Sequence, residues 1–581
     1  MARQYGKFLP PLVAFAAAVA LFLPILSHPF LDWDDHLTLA TNPSFNPPTW
    51  GTLADVWRGP HLALYVPVTY TVWWVVAHAS GGLAAGEAVG GATLFHGSSV
   101  LAHGLTAAVV AALAWLAVAG DAKKGTDPNR AFAAILAGLL FAVHPVQVDS
   151  VAWASGLKDV LAGLLGWTAV LLATRGLLAM DMGRVERGGG NRGGRGGGRP
   201  AWWLVAAAAS FALALLAKPS AVAFPLAGVV VLTLVMGIPW RRAAAVAAVG
   251  ALMALPIAIV AKVVQPPNDV EVVSLGQRAL LAGDSLAFYV RHVVVPWPLA
   301  VDYARPPGTQ LASPLVSVMW TVPLCVLLGA WAVDRMTPGA RRSRFGVLGA
   351  VLAAGLLVSP VLGLVPFQFQ RYSSVADHYL YSAMGAVAIA AAVIVSRLRV
   401  GSNWTFRGLL LVPVAIYAGM TSAYLPKWSG TEALFGHNIR VIETSFAGHR
   451  VLGFSAARRG DDNAAEVHFR RALELRDNDV ETRFNLANLY LRRRDLEAAK
   501  LAYQHTLLLK PDLAPAVQNL AVTYELLARP ELARSQYLRL LQLNPGNPAA
   551  QAGLRRTLPK SILDMFPILP TTLNPTTTRP G

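Results

Sequence analysis

Apolar runs recur from the N-terminus to about residue 425 of this 581-residue chain, and most are near 20 residues long. A run of that length can cross the ~30 Å hydrocarbon layer of a bilayer as one helix. Only 14% of the residues are charged, against about 25% in soluble globular proteins. The net charge of +17 does not indicate a nucleic-acid partner, because the bases lie mostly in short loops between apolar runs. The sequence predicts a polytopic membrane protein.

We predict about eleven spans in a transmembrane domain at residues 1–425, with outer loops at 29–92 and 264–313. The first span ends near residue 28, and the others lie near 93–119, 131–149, 157–178, 201–217, 220–238, 243–263, 314–333, 345–366, 379–396 and 405–425. The aromatic-rich stretch 62–78 is predicted to lie in the membrane interface. With this count the inner loops carry 20 bases and the outer loops 8, as the positive-inside rule requires. A twelve-span arrangement would invert every later loop.

After residue 440 the sequence becomes charged and matches itself at a shift of 34 residues. The matching positions are Asn485 and Asn519, Ala465, Ala499 and Ala533, Phe469, Tyr503 and Tyr537, and Pro511 and Pro545. Together they resemble the tetratricopeptide repeat, with units at about 446–479, 480–513 and 514–547. We therefore predict a helical solenoid at 446–557, whose concave face usually binds an extended peptide. A linker at 426–445 is predicted before it, and a disordered tail at 558–581 after it.

Charged and polar side chains beside apolar runs are functional candidates, because charge at membrane depth is costly. Four groups share the predicted outer face: Asp32, Asp34 and Asp35; His144, Asp149, Lys158 and Asp159; Lys218; and Arg371, Asp377, His378, Tyr379 and Tyr381. Each group alone also fits a structural role, such as a helix cap, a snorkelling lysine or an aromatic belt. Together they suit a reaction with a lipid phosphate as leaving group. Cations would stabilise the departing phosphate, and a carboxylate would take a proton from the incoming hydroxyl.

Seven motifs then follow one another in a specific order: FLDWDDHLTLATNP, LYVPVTYTVWW, FHGSSVLAH, LLFAVHPVQVDSVAWASGLKDVLAGLL, LLAKPSAVAFP, YVRHVVVPWPLAVDY and SVADHYLY. With the repeats behind them, they resemble bacterial relatives of the transmembrane and tetratricopeptide-repeat-containing O-mannosyltransferases, in the GT-C glycosyltransferase superfamily. The resemblance extends to about residue 547. It implies an all-α GT-C helical bundle with its active site on the outer face, and an inverting transferase that uses a polyprenyl-phosphate sugar.

The resemblance also implies roles for individual residues. Asp34 and Asp35 match the catalytic acid pair of the first loop, Asp149 the second-loop acid, and Lys218 the lysine that would hold the donor phosphate. The family's A-D/E-R-Y motif falls on Ala376, Asp377, His378 and Tyr379, so histidine stands where arginine is usual, and Arg371 is a substitute phosphate ligand. His144, Lys158, Asp159, Asp377 and Tyr379 have supporting roles. Leu157 also stands where arginine is common, and Asp149 where glutamate is usual.

We therefore expect a protein of the bacterial inner membrane, with a cytoplasmic N-terminus and periplasmic repeats, that transfers a sugar such as mannose to protein hydroxyls. Its partners would be the polyprenyl-phosphate sugar, an acceptor polypeptide held by the repeats, and the bilayer. No cofactor is certain. A divalent metal, Mg²⁺ or Mn²⁺, is compatible with the carboxylates, but two or three carboxylates of unknown geometry do not define a site. The alternative is a catalytically inactive, membrane-anchored repeat scaffold. His378 and Leu157 support this alternative, because both stand where the family usually has arginine.

Overall fold

The computed structural model describes residues 7–81, 90–118, 128–187, 199–264, 273–337, 344–398 and 403–558. The chain divides into two compact units, Met1–Glu443 and Thr444–Gly581. The described residues form helices and turns without a β-strand, which confirms the all-α prediction for this part of the chain. The tail predicted to be disordered lies, except for Leu558, outside the described residues.

The first unit is a helical bundle. Its α-helices are α1 (Leu9–Phe22), α2 (Trp50–Arg58), α3 (Pro67–Ala79), α4 (Gly90–Ala117), α5 (Pro128–Val143), α6 (Gln147–Ala152), α7 (Leu157–Arg187), α8 (Arg199–Ala217), α9 (Phe224–Val230), α10 (Trp240–Val264), α11 (Leu275–Val294), α12 (Pro307–Leu311), α13 (Thr321–Met336), α14 (Gly346–Val358), α15 (Tyr381–Arg397), α16 (Trp404–Tyr424) and α17 (Thr431–Val441). Short 3-10 turns extend several of these helices, among them Pro219–Ala223 before α9 and Asp377–Leu380 before α15.

Among the described residues, seven helical segments are long and apolar enough to cross a membrane. They are Leu9–Ser27, Gly91–Ala117, Ala154–Asp181, Trp240–Val264, Pro314–Met336, Asp377–Arg397 and Trp404–Trp428. Four shorter apolar helices lie at Asn129–Val143, Ala201–Ala217, Pro219–Val235 and Gly346–Val361. Each of these segments overlaps one of the stretches that the sequence analysis assigned to a span.

Three segments differ from the sequence prediction. The outer loop predicted at 264–313 contains the 20-residue helix α11, which starts at a capping box between Ser274 and Gln277. Helix α5 ends at Val143, before the predicted end of its span at 149, because Pro145 cannot continue a helix. The segment predicted as a linker forms α17, whose Phe435 is fully buried in the first unit.

The second unit consists of three helix pairs and a last helix. The pairs are α18 (Phe446–Arg458) with α19 (Asp462–Leu475), α20 (Val480–Arg492) with α21 (Leu496–Leu509), and α22 (Ala514–Leu526) with α23 (Pro530–Leu543), and α24 is Pro548–Thr557. Ala465, Ala499 and Ala533 are fully buried where the paired helices cross. Each helix pair follows the last by 34 residues, as the tetratricopeptide repeat prediction requires.

Candidate functional site

A buried contact joins Asp149, the predicted second-loop acid, to His378, which lies in the 3-10 turn before α15. Asp149 lies on the short helix α6, which forms after the helix break at Pro145, and it is 2% exposed. Its Oδ2 accepts a hydrogen bond from the backbone N–H of His378 at 3.1 Å and lies 2.8 Å from Nδ1 of the same residue. The contact therefore brings together two motifs that are 229 residues apart in sequence.

Lys218 lies at the end of α8 and forms an ion pair with Asp159 of α7. The Lys218 ammonium also lies 5.6 Å from the centre of the Tyr379 ring. These three side chains and His378 line one pocket, together with Ser220 and Ser382. The predicted lysine, one supporting acid and two residues of the A-D/E-R-Y motif thus meet at a single place.

An apolar groove shares one lining residue with this pocket. Phe224 lines both the pocket and the groove, which runs between α7, α8, α9 and α10. Small side chains leave the space between these helices; among them are Gly166, Ala169, Ala207, Gly228, Val246 and Gly250. The site therefore has a charged part and an apolar part that share one aromatic wall.

The two acids of the first outer loop have different environments. Asp35 is fully buried, and its carboxylate accepts hydrogen bonds from the N–H groups of Leu31 at 3.2 Å and Ser155 at 2.8 Å. Burial raises the pKa of the Asp35 carboxyl to about 6. Ser155 lies in the turn between α6 and α7, so Asp35 fastens the first loop to the element that follows Asp149. Asp34 is exposed, and of the predicted acid pair it is the one open to solvent.

Two predicted residues, Arg371 and Lys158, do not line the pocket. The Arg371 guanidinium lies 4.6 Å from the Tyr372 ring centre and donates a hydrogen bond to the Tyr372 hydroxyl. Trp33 packs against the same ring at 5.7 Å, so Arg371 belongs to the side of the site near the first loop. The Lys158 ammonium lies 5.0 Å from the Trp153 ring centre.

His144 and Asp377 have structural contacts. His144 is buried, its Nε2 lies 3.0 Å from the backbone carbonyl of Val293, and it does not line the pocket. Asp377 accepts a hydrogen bond from the Tyr303 hydroxyl at 2.7 Å. Both contacts join the segment predicted as the second outer loop to residues next to the site.

The sequence analysis did not single out Ser155, Phe224 or Tyr303, although each lies in one of the motifs quoted above. Ser155 is involved through its backbone N–H, Phe224 through its ring and Tyr303 through its hydroxyl. Within the part of the chain that the structure describes, no group of three or more His, Cys, Asp or Glu side chains could hold a metal ion.

Comparison with known proteins finds similarity only to solved structures. No protein-family model matches the chain, and no curated protein matches it. The tetratricopeptide repeat domain of Arabidopsis OM64 is 20% identical with a TM-score of 0.19, and the match covers 19% of this chain and 93% of that domain. The first tetratricopeptide repeat domain of Spaghetti (RPAP3), bound to the HSP90 peptide SRMEEVD, is 19% identical with a TM-score of 0.19, and the match covers 20% of this chain and 93% of that domain.

Proposed function

We propose that this protein is a membrane glycosyltransferase of the GT-C type, which transfers a sugar, mannose in our assignment, from a polyprenyl-phosphate donor to protein hydroxyls. One observation carries this proposal: the pocket of Lys218 and His378 shares Phe224 with an apolar groove between four apolar helices. A polyprenyl phosphate has the same two parts, a charged headgroup joined to a long apolar chain. The headgroup would occupy the pocket and the isoprenoid chain the groove.

Charge complementarity supports this placement of the phosphate. The Lys218 side chain is 16% exposed and Asp159, its partner, is 7% exposed, so a ligand can reach the cation from the pocket side. Charge-assisted hydrogen bonds to phosphate oxygens are about twice as strong as neutral ones. The phosphate would share Lys218 with Asp159, and His378 would contact the phosphate from the other wall.

Asp34 is the general base in this proposal. Its exposed carboxylate would take the proton of the acceptor hydroxyl while the hydroxyl oxygen forms a bond to the anomeric carbon of the sugar. The bond from that carbon to the phosphate oxygen breaks, and the polyprenyl phosphate leaves with its negative charge held by Lys218 and His378. Attack on the face opposite the phosphate inverts the anomeric centre. Asp35 holds the loop that carries Asp34.

The proposed topology has eleven spans, a cytoplasmic N-terminus in the bacterial inner membrane, and periplasmic repeats. The seven long and four shorter apolar helices support the count, and the excess of bases in the inner loops supports the orientation. The repeats would then lie on the same side of the membrane as Asp34, where they can present an acceptor polypeptide.

Transfer by the purified protein tests the proposal. A panel of polyprenyl-phosphate sugars is supplied with unfolded acceptor polypeptide, and product is measured. We expect one donor to be used, and Asp34→Asn to lower turnover by about 100-fold or more with unchanged donor binding. Asp55→Asn is the matched control, because Asp55 is an exposed acid of the same loop and pairs with Arg58 on its own helix. Equal losses in both variants would contradict the role of Asp34.

A second candidate function is a membrane-anchored scaffold without catalysis. The ion pair between Lys218 and Asp159 favours it, because a lysine already paired inside the protein has a structural reason to be present. The scaffold predicts that the wild type binds no polyprenyl-phosphate sugar, that Asp34→Asn equals the wild type in every assay, and that the repeats still bind a partner polypeptide.

A further inference from the structure

We infer that Asp149 is a positioning residue for His378: its carboxylate holds the imidazole so that Nε2 faces the phosphate of the donor. The inference rests on the proposed function and adds a role for Asp149, which that proposal does not use. It is carried by the paired contacts of one carboxylate oxygen with the backbone N–H and the Nδ1 of the same histidine.

The contact determines which ring nitrogen carries hydrogen. A carboxylate can only accept, so the 2.8 Å contact with Oδ2 requires hydrogen on Nδ1 of His378. Nε2 is then the nitrogen left for a ligand, and His378 lines the pocket that contains Lys218. When the ring is protonated, Nε2–H donates to a phosphate oxygen while Nδ1–H remains on Asp149, so the two anions stabilise the imidazolium from opposite sides.

The surroundings keep the ring in this orientation. Tyr379, Trp153 and Phe369 have their ring centres 4.3, 5.8 and 6.0 Å from that of His378. The hydrogen bond from the His378 backbone N–H to Asp149 Oδ2 also fixes the position of the His378 main chain relative to Asp149. Neither the ring nor its attachment can turn without losing packing or a charge-assisted hydrogen bond.

The burial of Asp149 supports a cationic partner. Its Oδ1 is buried without a hydrogen-bond partner in the described part of the chain, and the side chain is 3% exposed. A buried carboxylate is costly unless it is paired with a positive charge, and the nearest group that can supply one is His378. The two departures from the family motifs, aspartate for glutamate and histidine for arginine, therefore meet in one contact.

A double-mutant cycle tests the inference with full-length protein in detergent. Decaprenyl phosphate is the probe, and its dissociation constant is measured for the wild type, Asp149→Asn, His378→Gln and the double variant. Asp149→Asn keeps an acceptor oxygen and the side-chain shape but removes the charge. We expect each single variant to weaken binding about tenfold, and the double variant to bind no more weakly than the weaker single variant, because Asp149 acts through His378.

Rescue separates positioning from a general packing defect. His378→Arg in the Asp149→Asn background should restore binding to within a fewfold of the wild type, because arginine remains charged without a carboxylate partner. Asp149→Glu, which keeps the charge and the acceptor, should preserve coupling to His378 and covers the case in which Asp149→Asn folds poorly. Additive losses in the cycle, or no rescue by arginine, would overturn the inference while leaving the proposed function in place. A wild type that binds no decaprenyl phosphate would overturn both.

Discussion

The ion pair of Lys218 and Asp159 leads to a prediction that separates the charge of Lys218 from its packing. Replacing Lys218 alone would leave the Asp159 carboxylate buried, at 7% exposure, without its partner. Breaking a buried pair in this way typically destabilises a protein by about 3–5 kcal/mol, so a single Lys218→Met variant would confuse donor binding with folding. Replacing both members by neutral residues is often close to neutral for stability.

We therefore compare the double variant Lys218→Met/Asp159→Asn with Asp159→Asn alone. The double variant should melt near the wild type but bind decaprenyl phosphate more weakly by about 1.5–3 kcal/mol, the value of a hydrogen bond to a charged group. That loss is about a ten- to hundredfold increase in dissociation constant. Asp159→Asn alone also breaks the buried pair, so its melting temperature should fall; it keeps the cation and removes the anion that competes with the phosphate, so its folded form should bind at least as tightly as the wild type.

Binding by calorimetry and melting by intrinsic fluorescence are measured on the same preparations. Wild-type affinity in a well-folded double variant would refute the reasoning, since it would mean that Lys218 serves only to neutralise Asp159. Weak binding by Asp159→Asn that is still folded at the assay temperature would refute it in a different way, by showing that Lys218 binds the phosphate only when Asp159 holds it in place.

Three further predictions concern the first loop, the groove and the repeats. Burial raises the pKa of Asp35 from 3.8 to about 6. Between these two pH values the folded protein keeps the Asp35 carboxyl protonated, whereas the unfolded chain has released that proton. The free energy of unfolding should therefore fall by up to about 3 kcal/mol as the pH rises from about 4 to about 6. Asp35→Asn should remove that part of the pH dependence of thermal melting, and an unchanged profile would contradict it. A Cβ added at Gly228 would meet one atom, at 3.9 Å, so Gly228→Leu should narrow the groove and raise KM severalfold for a long polyprenyl donor but not for a farnesyl donor. Gly419→Leu is the control, because a Cβ added at Gly419 has nothing within 4 Å. Equal KM changes for both donors would argue against the groove. Leu508 is 77% exposed, and Leu508→Cys in a Cys325→Ser background should react with an impermeant thiol reagent in intact cells, whereas labelling only after permeabilisation would place the repeats inside.

The sequence by itself determined the two kinds of architecture in this chain. Apolar runs long enough to span a bilayer and a 34-residue repeat are properties of neighbouring residues, so they can be read without knowing which helices touch. The positions of Ala465, Ala499 and Ala533 predicted the helix crossings of the repeats, and all three are buried there. Local pattern was sufficient because each repeat packs mainly against its neighbours.

Helices that depend on distant partners were not predicted. Residues 264–313 were predicted as an outer loop, and no helix was predicted within them. The structure buries Leu281 and Phe288 on one side of α11, whereas Arg278 and Asp284 are half-buried and Arg291 is exposed. Helix stability here comes from tertiary packing rather than from sequence propensity.

The predicted spans put the candidate residues on one predicted membrane face, but only the tertiary structure decided how they pair. Asp34 and Asp35 are adjacent and chemically identical, and they differ because the N–H of Ser155, 120 residues away, binds only Asp35. The partners of His378 and Lys218 are 229 and 59 residues away, respectively. Hydrogen bonding and charge pairing act over a few ångströms. The choice of partner therefore depends on how the helices pack, which residue type and spacing along the chain do not specify.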